Sequence, residues 1–144
     1  MIVPDANLLL YAYDQSSPFH DRARAWWDGC LSGREAVGLT YPAMFAFLRI
    51  ATNPRAFANP MTLDEAAEHV NSWLGRRVSQ ILQPPASHAA DAIALLMSAG
   101  GAAGNLVTDA QIAALAQTYR AVVHTADRDF QRFADVRCLF PLDA

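Results

Sequence analysis

The chain has 144 residues, of which 53% are hydrophobic and 17% are charged, and this composition excludes an intrinsically disordered protein. The length is sufficient for one domain over residues 1–144 with a buried core, and no apolar run approaches the ~18 residues needed to cross a bilayer. A net charge of −3 excludes a broadly basic surface of the kind that indicates nucleic-acid binding, although basic side chains could still be concentrated locally.

The first half of the chain alternates short apolar runs with longer helical segments. In chain order it predicts strand Met1–Val3, helix Ala6–Tyr13, helix Phe19–Leu31, strand Ala36–Leu39 and helix Ala43–Ala51. Thr40 is a suitable N-cap for the last of these helices, and Pro42 suits its first turn.

The second half continues the alternation. Thr62-Leu63-Asp64-Glu65 is a capping box that opens a helix ending near Leu74. After it the sequence predicts strand Ser79–Leu82, helix Ser87–Ala99, a flexible loop Gly100–Gly104, helix Ile112–Tyr119, strand Val122–His124 and strand Arg137–Phe140. Strands that alternate with helices imply an α/β fold, a three-layer sandwich with a central, mainly parallel sheet flanked by helices.

The cysteines and basic residues give weaker indications. Cys30 and Cys138 lie far apart and match no metal-ligand spacing, so reduced thiols in a cytoplasmic protein are the simplest interpretation. The N-terminus has neither the basic region nor the cleavage site of a signal peptide. Every basic residue is arginine, which suits bidentate phosphate contacts but is also favoured by a GC-rich genome.

Four aspartates give the strongest indication of function. Asp5 follows the apolar run Ile2-Val3-Pro4, and Asp109 follows Leu106-Val107-Thr108, where we also expect a strand to stop. Asp127 and Asp129 come just after Val122-Val123-His124. Functional groups of open α/β sheets gather outside the carboxyl ends of the strands, so these acids could meet at one edge. Clustered carboxylates repel one another unless a cation such as Mg²⁺ neutralises them, and this arrangement is typical of a metal-dependent phosphodiesterase.

Each aspartate also has a purely structural interpretation. Asp5 could cap the helix that begins at Ala6, and Asp109 could cap or occupy the first turn of the helix containing Ile112. Asp127 and Asp129 could be ordinary turn residues.

Four sequence blocks occur in order along the chain. They are D-A-N-L-L-L-Y-A at the N-terminus, F-L-R-I-A-T-N-P-R at Phe47–Arg55, N-L-V-T-D-A-Q-I-A-A-L-A at Asn105–Ala116 and T-A-D-R-D-F at Thr125–Phe130. Together they resemble the PIN-domain family, and specifically the VapC-type toxins of bacterial toxin–antitoxin pairs. The likeness extends over essentially the whole chain.

The resemblance implies a compact α/β sandwich that pairs as a homodimer. It also implies a Mg²⁺- or Mn²⁺-dependent endoribonuclease that cuts tRNA, rRNA or mRNA and leaves a 5′-phosphate and a 3′-hydroxyl. The partner it implies is a VapB-like antitoxin, which covers the active-site groove and binds operator DNA on behalf of the complex.

The resemblance also assigns roles to individual residues. Asp5, Asp109 and Asp127 match the metal-binding acids, and Asp129 matches a supporting acid. Two further polar residues, Asn7 and Thr125, fall where the family places groups that shape the site, although Asn7 could simply face solvent. Whether one or two ions act at once is left open.

One position departs from the family pattern. Many members carry a glutamate on the third helix, where this chain has Ala46 before Phe47-Leu48-Arg49. The only glutamates are Glu35, Glu65 and Glu68, and none is placed to substitute. We therefore expect an ion held by fewer protein oxygens and more waters, which Mg²⁺ tolerates.

Several other side chains have both a functional and a structural interpretation. Arg49 could pair with a phosphate, a site carboxylate or a structural partner, and Arg128 and Arg132 could contact RNA or remain solvated. The histidines and tryptophans are predicted to be mainly structural, namely His88, His124, Trp26, Trp27 and Trp73.

Two further functional classes compete with the nuclease. One is a binding module that has lost catalysis and only holds an antitoxin, which the alanine at position 46 favours and the four retained aspartates oppose. The other is a haloacid-dehalogenase-like phosphatase, which requires a second acid where this chain has Asn7.

Overall fold

In the computed structural model, which describes residues 1–101, 103–104 and 106–143, five short strands form one parallel sheet. The strands are β1 Ile2–Pro4, β2 Val37–Leu39, β3 Ser79–Ile81, β4 Val122–His124 and β5 Cys138–Leu139. Their order is β3-β2-β1-β4-β5, and each neighbouring pair is parallel. The predicted parallel sheet is therefore confirmed, with β1 and β4 adjacent at its centre.

Six α-helices and a short 3₁₀ helix complete the described part of the fold. They are α1 Ala6–Tyr13, α2 His20–Ser32, α3 Tyr41–Ala51, α4 Leu63–Leu74, α5 His88–Ser98, α6 Leu106–Thr118 and the 3₁₀ helix Arg128–Arg132. Within the described ranges, every helix is too short or too polar to cross a bilayer.

The core lies on both faces of the sheet. Successive side chains of a strand point to opposite faces, so Val3 packs with α5 and α6 while Ile2 packs with α1, α2 and α4. Trp27 and Trp73 are fully buried on the second face, with ring centroids 5.6 Å apart in an edge-to-face contact. This is the predicted three-layer sandwich, and the core role predicted for these two tryptophans is confirmed.

The N-terminal caps predicted for α3 and α4 are present in the structure. The Thr40 hydroxyl accepts the Ala43 N–H at 3.2 Å, and Pro42 lies in the first turn of α3. The capping box of α4 is present in both directions, with Thr62 Oγ1 accepting the Glu65 N–H at 3.1 Å and Glu65 accepting the Thr62 N–H at 3.3 Å.

One predicted strand is wrong. The apolar run Leu106-Val107-Thr108 is the first turn of α6, which begins there rather than at Ile112. The helix packs against α5, α3 and β4 and is buried on most of its surface, so its apolar residues show no helical period. A short run of this kind cannot be told from a buried strand by pattern alone. Ala102 of the predicted loop and Asn105, which opens the third block, lie outside the described residues.

Glycines at positions 38 and 29 should respond to alanine in opposite directions. A Cβ at Gly38 would lie 2.8 Å from the Leu82 side chain and 2.9 Å from the Met1 sulfur, whereas a Cβ at Gly29 meets nothing within 4 Å. Gly38→Ala should cost about 1–3 kcal/mol from overpacking in β2. Gly29→Ala should gain about 0.5–1 kcal/mol because alanine is the better helix former in α2. Urea unfolding measures both, and equal effects would contradict the packing at β2.

Candidate active site

Asp5 occupies the junction between β1 and α1 at the carboxyl edge of the sheet, and its side chain is 5% exposed. One carboxylate oxygen accepts the Ala6 N–H at 2.7 Å, which is the predicted capping contact. The other oxygen accepts the Thr125 hydroxyl at 2.7 Å. The Asp5 N–H donates to the His124 carbonyl at 2.9 Å, so both backbone and side chain fix this aspartate against the end of β4.

Thr125 connects two of the predicted acids. It is fully buried directly after β4, where its hydroxyl donates to Asp5 and accepts the Asp127 N–H at 2.9 Å. Asn7 supports the same turn from α1, because its side-chain oxygen accepts the Ala126 N–H at 3.4 Å. The structure therefore brings both predicted polar residues to this turn.

The acids of the T-A-D-R-D-F block open the 3₁₀ helix. Asp127 is its N-cap, and its carboxylate accepts the Asp129 N–H at 2.8 Å. Asp129 is exposed, with the Arg132 guanidinium 3.9 Å from its carboxylate. The turn-residue interpretation of these two acids is thus correct at the level of hydrogen bonding.

The charges of the other three aspartates act on Asp109. Asp109 lies in the first turn of α6, and its pKa is raised to about 7 by burial and then by the charges of Asp5, Asp127 and Asp129. The pKa of Asp5 is raised to about 6 by burial, partly offset by hydrogen bonds from Thr125 and Ala6, with a further rise from the charge of Asp127. Both carboxyl groups are therefore more easily protonated than usual, first because they are buried and then because negative charges lie near them.

The donor chemistry suits a divalent cation that keeps much of its water. Carboxylate oxygens are the ligands that Mg²⁺ prefers, and one or two of them with several waters are enough to bind it. Across the described ranges, however, no three acidic, histidine or cysteine side chains converge closely enough to hold one ion between them. Asp5 and Asp127 instead direct carboxylate oxygens at protein donors. The residues thus fit a hydrated ion and do not form a closed cage.

Two residues on α3 lie away from this hydrogen-bonded network. Arg49 is exposed near the helix end and makes no ion pair within the described part of the chain. The described structure thus gives Arg49 no carboxylate partner, and a supporting role for it stays a prediction. Ala46 is buried, with 7% of its surface exposed, and adds no oxygen to the site.

The sequence did not predict a contact between Trp26 and His124 at the end of β4. The indole N–H donates to His124 Nδ1 at 3.0 Å, which fixes the imidazole as a hydrogen-bond acceptor at the end of β4. Burial lowers the pKa of His124, consistent with a neutral ring. The two residues are 98 positions apart, and no local sequence pattern indicates their pairing.

Known proteins resemble this chain along its length. A sequence profile described as PIN domain matches residues 2–136. Ribonuclease VapC33 from Mycobacterium tuberculosis is 44% identical over 142 residues, which cover 99% of each chain. The chain therefore belongs to the PIN-domain family, and specifically to its VapC type.

Solved structures share the fold. VapC20 from Mycobacterium tuberculosis, described as a Sarcin-Ricin loop cleaving toxin, has a TM-score of 0.70 at 16% identity, with coverage of 95% of this chain and 99% of that one. VapBC2 from Rickettsia felis, bound to a DNA fragment from its promoter, has a TM-score of 0.68 at 16% identity, with coverage of 96% and 98%.

Asp109→Asn should stabilise the metal-free protein near neutral pH. A carboxyl group whose pKa is higher in the folded than in the unfolded protein binds its proton more tightly when folded. The free energy of unfolding should therefore fall as the pH rises from 3.8, the ordinary value, to about 7. Asparagine cannot ionise, so the variant should lose part of this pH dependence. Urea unfolding in EDTA at a series of pH values measures it.

Asp64→Asn is the matched control because Asp64 also lies in the first turn of a helix but is exposed. It should lose about 0.3–1 kcal/mol as the favourable interaction with the helix dipole disappears. A loss of the same sign at Asp109 would contradict the repulsive cluster.

Thr125→Val should weaken the site through Asp5. Valine keeps the shape of threonine but leaves the Asp5 carboxylate and the Asp127 N–H without their shared partner. The loss should be about 1–3 kcal/mol, as for other buried groups left unsatisfied. Thr125→Ser restores the hydroxyl and should recover most of that loss in urea unfolding. A larger loss for Thr125→Ser than for Thr125→Val would assign the role to the threonine methyl group instead.

Proposed function

We propose that the protein is a metal-dependent endoribonuclease and the toxin of a VapBC-type toxin–antitoxin pair. The observation that supports this most is the cluster of Asp5, Asp109 and Asp127 at the carboxyl edge of the sheet, where burial and then the charges of Asp5, Asp127 and Asp129 raise the pKa of Asp109 to about 7. Mutual repulsion of this kind opposes folding and is expected where a cation is to bind. The ribonuclease names of full-length relatives support the same activity.

In this proposal Asp5, Asp109 and Asp127 hold Mg²⁺, or Mn²⁺ in its place, directly or through water. A bound ion would polarise a phosphate oxygen and lower the pKa of an attacking water. Thr125 keeps the Asp5 carboxylate oriented by its 2.7 Å bond, and the Asp129 N–H orients Asp127 at 2.8 Å. Asn7 holds the turn that links them.

The proposed reaction is hydrolysis of an RNA phosphodiester bond. Water adds to phosphorus, the bond from phosphorus to the 3′ oxygen breaks, and the products are a 5′-phosphate and a 3′-hydroxyl. The aspartates bind and orient the metal ion, and none of them forms a covalent bond to the substrate.

The proposed partners follow from the family. The substrate is tRNA, rRNA or mRNA, and a VapB-like antitoxin blocks the site. Operator DNA is bound only through the antitoxin, which is consistent with the net charge of −3 and with the DNA-bound VapBC2 complex from Rickettsia felis. A homodimer is part of the proposal, and large exposed apolar side chains on two helices, Phe45, Ile93 and Met97, support it.

An inactive binding module is the second candidate. Buried Ala46 in place of a glutamate favours it, as does the absence, within the described ranges, of three converging ligands. Such a module would hold the antitoxin in a repressor complex without cutting RNA.

Antitoxin-free protein should cut purified tRNA or rRNA into discrete fragments in Mg²⁺ or Mn²⁺ and leave them intact in EDTA. Asp5→Asn should lower the rate by more than about 100-fold, because a metal-holding carboxylate becomes a neutral amide. Asp21→Asn is the control, since Asp21 is an exposed acid in the first turn of α2. Gel analysis of the fragments measures the rates.

Two outcomes would contradict the nuclease. If cleavage persists in EDTA or in the Asp5→Asn variant, the reaction does not depend on the proposed metal site. Folded protein that captures its antitoxin but cuts none of the RNAs would favour the binding module.

A further inference from the structure

Arg128 lies between two acids of the site and is held by the segment that follows β5. Its guanidinium carbon is 3.8 Å from the centre of the Phe140 ring, and its Nη2 donates to Asp143 at 2.6 Å. Both charged side chains are more than half exposed, at 56% and 57%. The ion pair therefore lies in water, where such pairs are weak and exchangeable.

The segment is itself anchored, so Arg128 is presented in a defined place. Leu142 is buried in the core that contains α1 and α2, and Arg22 of α2 donates to the Leu142 carbonyl. Phe140 directly follows the carboxyl end of β5, the strand next to β4. In a parallel sheet this is the same edge that Asp5 and Asp127 occupy.

Arg132, the other arginine of this block, is less suited to bind a ligand. Its guanidinium donates to the Ala99 carbonyl at 2.9 Å and also approaches Asp129, so it ties the 3₁₀ helix to the end of α5. Arg128 donates to a single partner within the described residues, although a guanidinium has five N–H donors.

A polyanion that approaches four clustered aspartates needs a local positive charge. Arginine binds phosphate through two parallel hydrogen bonds, which a single exposed carboxylate contact does not match. Phe140 restrains the guanidinium by stacking, so little side-chain freedom is lost when a ligand binds.

We propose that Arg128 binds a backbone phosphate of the RNA strand beside the aspartate cluster, and that Asp143 occupies the guanidinium until RNA displaces it. This rests on the proposed function, since it names a substrate contact of the same site. Asp143 thus acts as an internal competitor for RNA, and the contact is to the phosphate backbone and independent of base sequence.

RNA affinity measured against salt tests the contact. The probe is a fluorescein-labelled single-stranded RNA of mixed sequence, with EDTA present to prevent cleavage and fluorescence anisotropy as the readout. Arg128→Ala should weaken binding about fivefold at 0.1 M salt and reduce the slope of log affinity against log salt by about 0.7, the loss of one phosphate contact on a single strand. Asp143→Asn should strengthen binding roughly two- to fivefold, as a weak surface ion pair is removed.

Matched controls come from the opposite end of the same strand. Arg137 lies just before β5, donates to the Arg120 carbonyl and is exposed, and Asp135 is an exposed acid nearby. Arg137→Ala and Asp135→Asn change the net charge equally but should leave affinity and salt slope near those of the unaltered protein. A double variant, Arg128→Ala with Asp143→Asn, should bind no better than Arg128→Ala alone, because Asp143 acts only through Arg128.

Each contrary result has a distinct meaning. If Arg128→Ala binds like the unaltered protein, or if Arg137→Ala weakens binding as much, the phosphate contact is wrong while the nuclease stands. If Asp143→Asn strengthens RNA binding equally in the Arg128→Ala variant, Asp143 acts through the net charge of the protein and does not compete with RNA for Arg128. A protein that neither binds nor cuts RNA overturns both proposals. Stronger binding by Asp143→Asn cannot come from misfolding, so the test does not depend on the stability of the Arg128 variant.

Discussion

The hydrogen bond from the Thr125 hydroxyl to the Asp5 carboxylate is the contact on which the candidate site depends. It joins the carboxyl ends of the two central strands, β1 and β4, in a buried position. Thr125 and the Ala6 N–H both donate to this buried carboxylate, and both hydrogen bonds favour its charged form against the cost of burial. Parallel pairing of the strands places Asp127 beside it, and α6 brings Asp109 close enough to respond to both charges. The roles proposed for Asp5, Asp109 and Asp127 all depend on these relative positions.

The same arrangement opposes stability in the metal-free protein. The dipole at the start of α6 favours an anion at Asp109, yet the pKa of that carboxyl is raised to about 7. Burial and three neighbouring charges therefore outweigh the helix dipole. The stabilisation that offsets this cost lies elsewhere, in the apolar clusters on both faces of the sheet. Local conflict of this kind is typical of functional sites in otherwise consistent folds.

Most helices and strands could be predicted because the sequence patterns that indicate them are local. The capping box at Thr62, the Thr40 cap and the alternation of strands and helices each lie within a few residues. The prediction failed at Leu106-Val107-Thr108 because this short apolar run opens a helix without a helical period and so resembles a strand. The strand-end argument places Asp5 and Asp127 at one edge, but it is wrong for Asp109, which lies in the first turn of α6 and does not follow a strand. The shared metal site of these acids rests on the family resemblance and stays a prediction. Their hydrogen-bond partners could not be predicted, since contacts such as Trp26 with His124 or Arg128 with Asp143 depend on tertiary structure.

The charge count of the site explains how it can do without a glutamate at position 46. Glu35 pairs with the N-terminal ammonium at 3.1 Å, and Glu65 is part of a capping box, so neither is available to the cluster. Buried Ala46 therefore leaves four aspartates as the acids. A fifth carboxylate would bind a cation more tightly but would add repulsion to a cluster that already raises two pKa values. In the proposed metal site, alanine would reduce that repulsion in the metal-free protein and leave more of the coordination to water, which Mg²⁺ accepts.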